Sequence, residues 1–327
     1  MASLWDDLES LVESPSFSSP EYGHRGTIKP KENFDAKEDA AALKKAIEGL
    51  GTDEKVLIEI LTQRSNAQRQ LICKAYQEAT GRTLEKDLEG DTNGDFEHLL
   101  VALITPPAAF DCHEVIRAMK GAGTKDSILI EIFASRSNQQ IKALKEVFVK
   151  ETKKDLIDKL KSEVSGDLYK ALVLLAKGDR DESNTVNVDK AKEDAQALYN
   201  AGEKAGEKKW GTDESKFIEI LCQRSVAQLR QTLIEYKNIS GKTLQQSIEG
   251  EMSGELEELL VAVVKCVKSL TVYFAELLHE SMKGGGTDES TLTRVMVSRS
   301  EIDLLDIRAE FKKLYEHSLL SAIKSDV

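Results

Sequence analysis

With 327 residues the chain exceeds one average domain and can bury a large core. Its net charge of −12 excludes nucleic acid as a natural partner, and it excludes unaided attraction to an anionic membrane unless a cation mediates. Few aromatics, five prolines and a charged fraction of 31% favour an all-α protein.

Residues 1–33 form a distinct N-terminal head, with serines and prolines in "ESPSFSSPEYGHRGT". Leu4, Trp5, Leu8, Leu11 and Val12 fall on one helical stripe whose opposite face is acidic. Such a stripe suits the groove of an EF-hand type or other protein partner, or docking on the chain's own core, better than it suits acidic lipid. The start has no basic stretch followed by an apolar signal core, and the runs "LLVALI" from 99 and "LLVAVV" from 259 are far shorter than the roughly 20 residues of a spanning helix. These features predict a cytoplasmic protein.

From residue 34 the chain repeats itself. "IEGLGTDEK" from 47, "MKGAGTKDS" from 119, "KKWGTDESK" from 208 and "MKGGGTDES" from 282 share a glycine before threonine: Gly51, Gly123, Gly211 and Gly286. Thirteen residues after each glycine stands an arginine followed by serine: Arg64, Arg136, Arg224 and Arg299. Forty residues after each stands an acid: Asp91, Glu163, Glu251 and Asp326. The boundaries expected are repeat 1 at 34–105, repeat 2 at 106–178, a linker at 179–192, repeat 3 at 193–265 and repeat 4 at 266–327. The polar stretch from 177 is expected to divide the chain into halves.

Within a repeat the helical signals recur in order. Thr52 and its counterparts read as N-caps, with acids in the first turn. Apolar segments such as "VLIEIL" then lead to the arginine. Ser65-x-x-Gln68, Ser137-x-x-Gln140 and Ser225-x-x-Gln228 read as capping boxes, with Ser300-x-x-Asp303 a variant. A turn, a helix ending near the acid and an apolar helix complete five helices per repeat. The fourth repeat is expected to lack the last of these, leaving Asp326 at a fraying end.

A glycine loop at a helix start can turn carbonyl oxygens into one concavity, and a carboxylate arriving from a later helix can close it. Hard oxygen donors of that kind suit Ca²⁺, whereas zinc would call for recurring Cys or His. Three carbonyls and a bidentate carboxylate give about five donors, fewer than the 6 to 8 usual for Ca²⁺, which leaves positions for water or a phosphoryl oxygen. Anionic lipid could then join, and several weak sites acting together would make binding steep in calcium.

The glycine loops, the Arg-Ser landmark and the distant acid, recurring fourfold over residues 34–327, resemble the annexin family. The resemblance implies a curved disc of four five-helix repeats with its convex face on anionic phospholipid membranes, reached when calcium rises. It implies open type II calcium sites at Ile47, Gly49, Gly51 and Asp91; at Met119, Gly121, Gly123 and Glu163; at Gly206, Lys209, Gly211 and Glu251; and at Met282, Gly284, Gly286 and Asp326. Held at loop tips by such ligands, Leu50 and Trp210 would contact the membrane at headgroup level. In the third repeat AGEK occurs twice, so Gly202 could close that loop in place of Gly206.

Other readings fit less well. "SGKT" at 240 lacks the P-loop's earlier glycine, since position 236 is Tyr236. "DTNGDFEHLLVA" from 91 has Gly94 fourth where an EF-hand loop needs glycine sixth. The landmark arginines read as structural, meeting carbonyls or carboxylates. Cys73, Cys112, Cys222 and Cys266 read as buried free thiols. The five histidines do not recur by repeat and no nucleophile–base spacing stands out, so an enzyme is not expected. The rival reading is a helical-repeat scaffold for a protein partner, which leaves the fourfold acid without a reason.

Overall fold

A computed structural model describes residues 24–49, 51–121, 123–202 and 212–326. Among these residues there are 19 helices and no strand. The first repeat contains α1 (Ala36–Ile47), α2 (Glu54–Thr62), α3 (Asn66–Thr80), α4 (Leu84–Asp91) and α5 (Gly94–Ile104). The second contains α6 (Pro107–Ala118), α7 (Asp126–Ser135), α8 (Asn138–Thr152), α9 (Leu156–Glu163) and α10 (Gly166–Ala176). The third contains α11 (Val188–Ala201), α12 (Glu214–Gln223), α13 (Val226–Ser240), α14 (Leu244–Glu251) and α15 (Gly254–Lys268). The fourth contains α16 (Leu270–Ser281), α17 (Glu289–Arg299), α18 (Leu304–Tyr315) and α19 (Leu319–Asp326). The N-terminal head before residue 24, including its apolar stripe, lies outside the described residues.

Helix starts follow the sequence signals with instructive exceptions. Ser65 and Ser137 form reciprocal capping boxes with Gln68 and Gln140. Ser225 caps the Gln228 amide, but the Gln228 side chain instead exchanges two 2.9 Å hydrogen bonds with the Asn187 backbone. The variant box at Ser300 does not form, because the helix starts four residues later and Asp303 is taken by Arg299. Nor is threonine the cap after the glycine loops. The cap is the next residue, and Asp53 and Asp288 accept from the amides of Val56 and Thr291.

The landmark arginines are paired inside the protein. Arg64 donates to both oxygens of Asp39 on α1 at 2.7 and 2.9 Å, and Arg136 does the same to Asp111 on α6 at 2.8 and 2.9 Å. Arg224 reaches Asp194 on α11 at 2.8 and 3.2 Å. In the fourth repeat Phe274 stands where the others carry that aspartate, and Arg299 packs 4.7 Å from its ring centroid. Asp303 has replaced the capping glutamine and takes both Arg299 hydrogen bonds, at 2.8 and 2.7 Å. The carboxylate comes from the residue just before α18, not from the helix before the glycine loop, while the arginine keeps its place.

Two compact units organise the repeats. One joins residues 24–110 with 274–326 and so holds the first and fourth repeats. Its core includes Leu43, Leu57, Leu61, Ile72, Tyr76, Leu84, Leu88 and Leu103, with Val297 of α17 packed against them. Each fully buried leucine contributes roughly 1.5–3 kcal/mol. The Glu301 carboxylate accepts from the Asn66 amide at 3.0 Å and lies 3.9 Å from Arg69, a buried arginine that donates to the carbonyls of Leu61 and Leu103. The segment before α1 is stitched to the same region: the Ile28 amide donates to Ser300 and the Leu305 amide to Arg25. Gly26 is required there, since a Cβ would stand 2.4 Å from the Glu301 carbonyl carbon.

The other unit, residues 111–273, holds the second and third repeats. The polar stretch from 177 therefore lies inside a unit and does not divide the chain into halves. Arg180 donates to the carbonyls of Leu221 and Arg224 at 2.9 and 2.7 Å, and its own backbone exchanges hydrogen bonds with the Asn138 side chain. A polar composition here serves specific backbone pairing. The four cysteines are free thiols, and burial pushes the Cys222 thiol up to about 12.

The exchange in the fourth repeat yields a test. Asp303→Gln strands the buried Arg299 and is expected to cost about 3–5 kcal/mol. Adding Phe274→Asp supplies the partner used elsewhere, so the double variant should lose at least ~1 kcal/mol less stability in urea unfolding than the two single losses added together. Simple additivity would show that the two positions do not substitute for one another.

Candidate functional site

Each glycine loop is closed at its base by the backbone. The Asp53 amide donates to Ala46, Lys125 to Ala118 and Asp288 to Ser281, at 2.9, 2.8 and 2.7 Å. In the third repeat Asp213 reaches Ala201 at 3.0 Å, spanning five residues more than the others, of which the repeated AGEK accounts for four. Gly206, Lys209, Gly211, Leu50 and Trp210 lie outside the described residues.

The threonine after each glycine ties its loop to the helix that carries the distant acid. Thr52 donates to the Asp91 carbonyl at 3.1 Å, Thr124 to that of Glu163 at 3.3 Å and Thr212 to that of Glu251 at 3.3 Å, while the Thr287 hydroxyl stands 3.5 Å from the Asp326 carbonyl, always across 39 residues. The structure thus brings each acid to its loop, including Asp326, which was expected to fray. That residue stays helical, and its carboxylate accepts the Thr287 hydroxyl at 2.5 Å. Sequence reasoning took the threonines for caps and missed this role, although their constant offset from the acids was a visible signal.

The loops do not share one backbone path. Gly51 has φ +90° while Gly49 does not enter the positive region; Gly121 and Gly123 both do, at +104° and +102°; in the fourth loop Gly284 does, at +106°, and Gly286 does not. Among the hydrogen bonds between described residues, none is accepted by the carbonyls of Ile47, Gly49, Gly51, Met119, Gly121, Gly123, Met282, Gly284 or Gly286. Carbonyls left without a partner in the loops, together with the acid that the threonine holds to each loop, make a hard, oxygen-only donor set of the kind that fits a calcium ion. Among the described residues no three His, Cys, Asp or Glu side chains gather as a metal cage, so a cation here would rest on backbone oxygens.

The acids differ in their surroundings. Asp91 is exposed. Glu251 lies 3.5 Å from the Thr212 hydroxyl. Glu163 accepts a hydrogen bond from Lys159 one turn earlier, and that bond holds its carboxyl below the usual carboxylate range.

Comparison with known proteins places the chain. A family model described as Annexin matches residues 38–103, 110–175, 193–263 and 273–327. Human annexin A3 is 57% identical over 304 residues, covering 93% of each chain. A solved structure of annexin III shares 56% identity with a TM-score of 0.90 and covers 95% of each chain. A calcium-bound annexin (Sm)1 structure shares 35% identity with a TM-score of 0.80, covering 94% of this chain and 91% of that one.

The loop geometry makes the two glycines of the fourth loop separable. Gly284→Ala forces an L side chain to φ +106° and should cost about 1–2 kcal/mol. Gly286→Ala meets open space at an ordinary φ and should change stability by less than about 0.5 kcal/mol. Denaturant midpoints for the two variants check the difference, and equal losses would mean that the loop does not follow this path.

Proposed function

Because the chain belongs to the annexin family, we propose that it binds anionic phospholipid membranes in a calcium-dependent manner through open type II sites at its glycine loops. The observation that carries this reading is the threonine bridge, repeated four times across 39 residues, which keeps an acid beside a loop of carbonyl oxygens. A loop that served only to end a helix would have no use for a bonded acid 40 residues away.

The carbonyls of Ile47, Gly49 and Gly51 with Asp91 would hold the ion in the first repeat, those of Met119, Gly121 and Gly123 with Glu163 in the second, and those of Met282, Gly284 and Gly286 with Asp326 in the fourth. In the third repeat Gly206, Lys209 and Gly211 would serve with Glu251. Bound calcium supplies local positive charge and coordination positions that a lipid phosphate oxygen can complete. The chain's part is to hold its donors in place and to keep the rest of the surface acidic, so that attachment is confined to these loops. Leu50 and Trp210 would add apolar contact at headgroup depth. No helix among the described residues is long and apolar enough to cross a membrane, in keeping with peripheral attachment. Several loops engaging one surface raise the effective concentration of the rest, which makes attachment steep in calcium.

Cosedimentation with phosphatidylserine vesicles tests the reading. Binding is expected with calcium and not with chelator. Asp91→Asn should raise the calcium needed for half-maximal binding by about tenfold, the scale of one charge-assisted contact near 1.4 kcal/mol. Binding that ignores calcium would overturn the reading, and no binding at all would favour a protein-binding scaffold instead.

A further inference from the structure

The acids that close the loops sit on equivalent helices yet face different neighbours. In the fourth repeat the carboxylate turns to its loop threonine, and in the third it lies near that hydroxyl. In the second it turns down its own helix: Glu163 accepts from the Lys159 ammonium, with the Ser162 hydroxyl 3.4 Å away.

The residue four positions before the acid decides this. It is Asp87, Lys159, Ser247 and Ala322 in the four repeats, a cation only in the second. Asp87 is engaged elsewhere, accepting from Tyr76 at 2.5 Å and Arg82 at 3.1 Å, while Ser247 and Ala322 are buried and carry no charge. Lys159 also borders a groove of about 340 Å³ with Lys153, Lys154, Asp155, Asp158 and Ser162. That groove sets three lysines against two aspartates, so the cation that meets the second acid directly is Lys159.

We propose that Lys159 is a built-in counter-cation that sets the calcium threshold of the second loop. Lys159 holds Oε1 of Glu163, so a divalent cation that takes the carboxylate through both oxygens must displace the ammonium, which then stands close to the new charge. Both steps weaken binding there, so the second loop fills at higher calcium than its glycines and acid alone would require. This inference rests on the reading of Glu163 as a calcium ligand.

The experiment isolates that loop in the full-length chain carrying Asp91→Asn, Glu251→Gln and Asp326→Asn, and titrates calcium alone by calorimetry. Lys159→Gln is expected to tighten binding about threefold to tenfold at low salt, the scale of one unit charge near a divalent ion in water, and less at high salt. Lys159→Arg should keep the wild-type affinity. Lys154→Gln, which removes a charge from the same groove without touching Glu163, should change it by less than about twofold. If Lys159→Gln leaves the affinity unchanged while Glu163→Gln abolishes binding, the counter-cation role is wrong and the calcium reading stands. If Lys154→Gln tightens binding as much as Lys159→Gln, a diffuse field and not this contact sets the threshold. If Glu163→Gln has no effect in this background, the ligand assignment fails and the inference falls with it.

Discussion

The structure depends on an arginine gripped by a carboxylate in every repeat, buried as Arg64, Arg136 and Arg299 and half-buried as Arg224. In the first three repeats the partners lie on either side of the glycine loop, so the pair clamps the chain below the loop. Burying two charges is expensive, and a bidentate geometry with both oxygens used recovers that cost without large net stabilisation. What the pair supplies is position: it decides where the helix before the loop meets the turn that follows the next helix. The third repeat shows how little the loop matters to the clamp. Its partners are 30 residues apart instead of 25, and the extra closure entropy is only about 0.2 kcal/mol.

The fourth repeat shows that the arginine, and not its partner, is the constant. Phe274 gives it an aromatic face and Asp303 gives it the carboxylate, from a residue that elsewhere serves as a capping glutamine. The capping box and the aspartate found in the other repeats are both absent, while the guanidinium still has a carboxylate on two of its donors. A position-by-position reading of the repeats misses this, because the two substitutions make sense only once both are seen to surround one group.

Much of the fold was legible because helix periodicity, caps and glycine turns are local. The succession of five helices, two of the capping boxes and the offsets of glycine, arginine and acid could all be read directly. Less could be read wherever one side chain had a choice of partners. Gln228 can close a box on Ser225 or bond the backbone of Asn187, and only tertiary placement settles it. Thr52 can cap a helix or cross to Asp91, and the adjacent Asp53 frees it by taking the cap. Arg180, in a stretch polar enough to pass for a linker, finds its carbonyl partners 41 and 44 residues away. At the candidate site the donor types were legible and the direction of each carboxylate was not, since that direction depends on a neighbour one helical turn away.

Repetition and difference play separate parts. The shared elements, arginine clamp and threonine bridge, act on the backbone and bring every acid to its loop by the same means. The differences lie in side chains that contact the carboxylate itself: an exposed Asp91, a Glu163 held by lysine, and a Glu251 and an Asp326 near threonine hydroxyls. Because the backbone frame is common, such changes can alter how readily one loop accepts a cation without disturbing its neighbours in the fold. Four identical loops would respond to one narrow range of cation concentration. On the proposed reading, loops graded by their side chains would spread that response through single residues that leave the helical framework untouched.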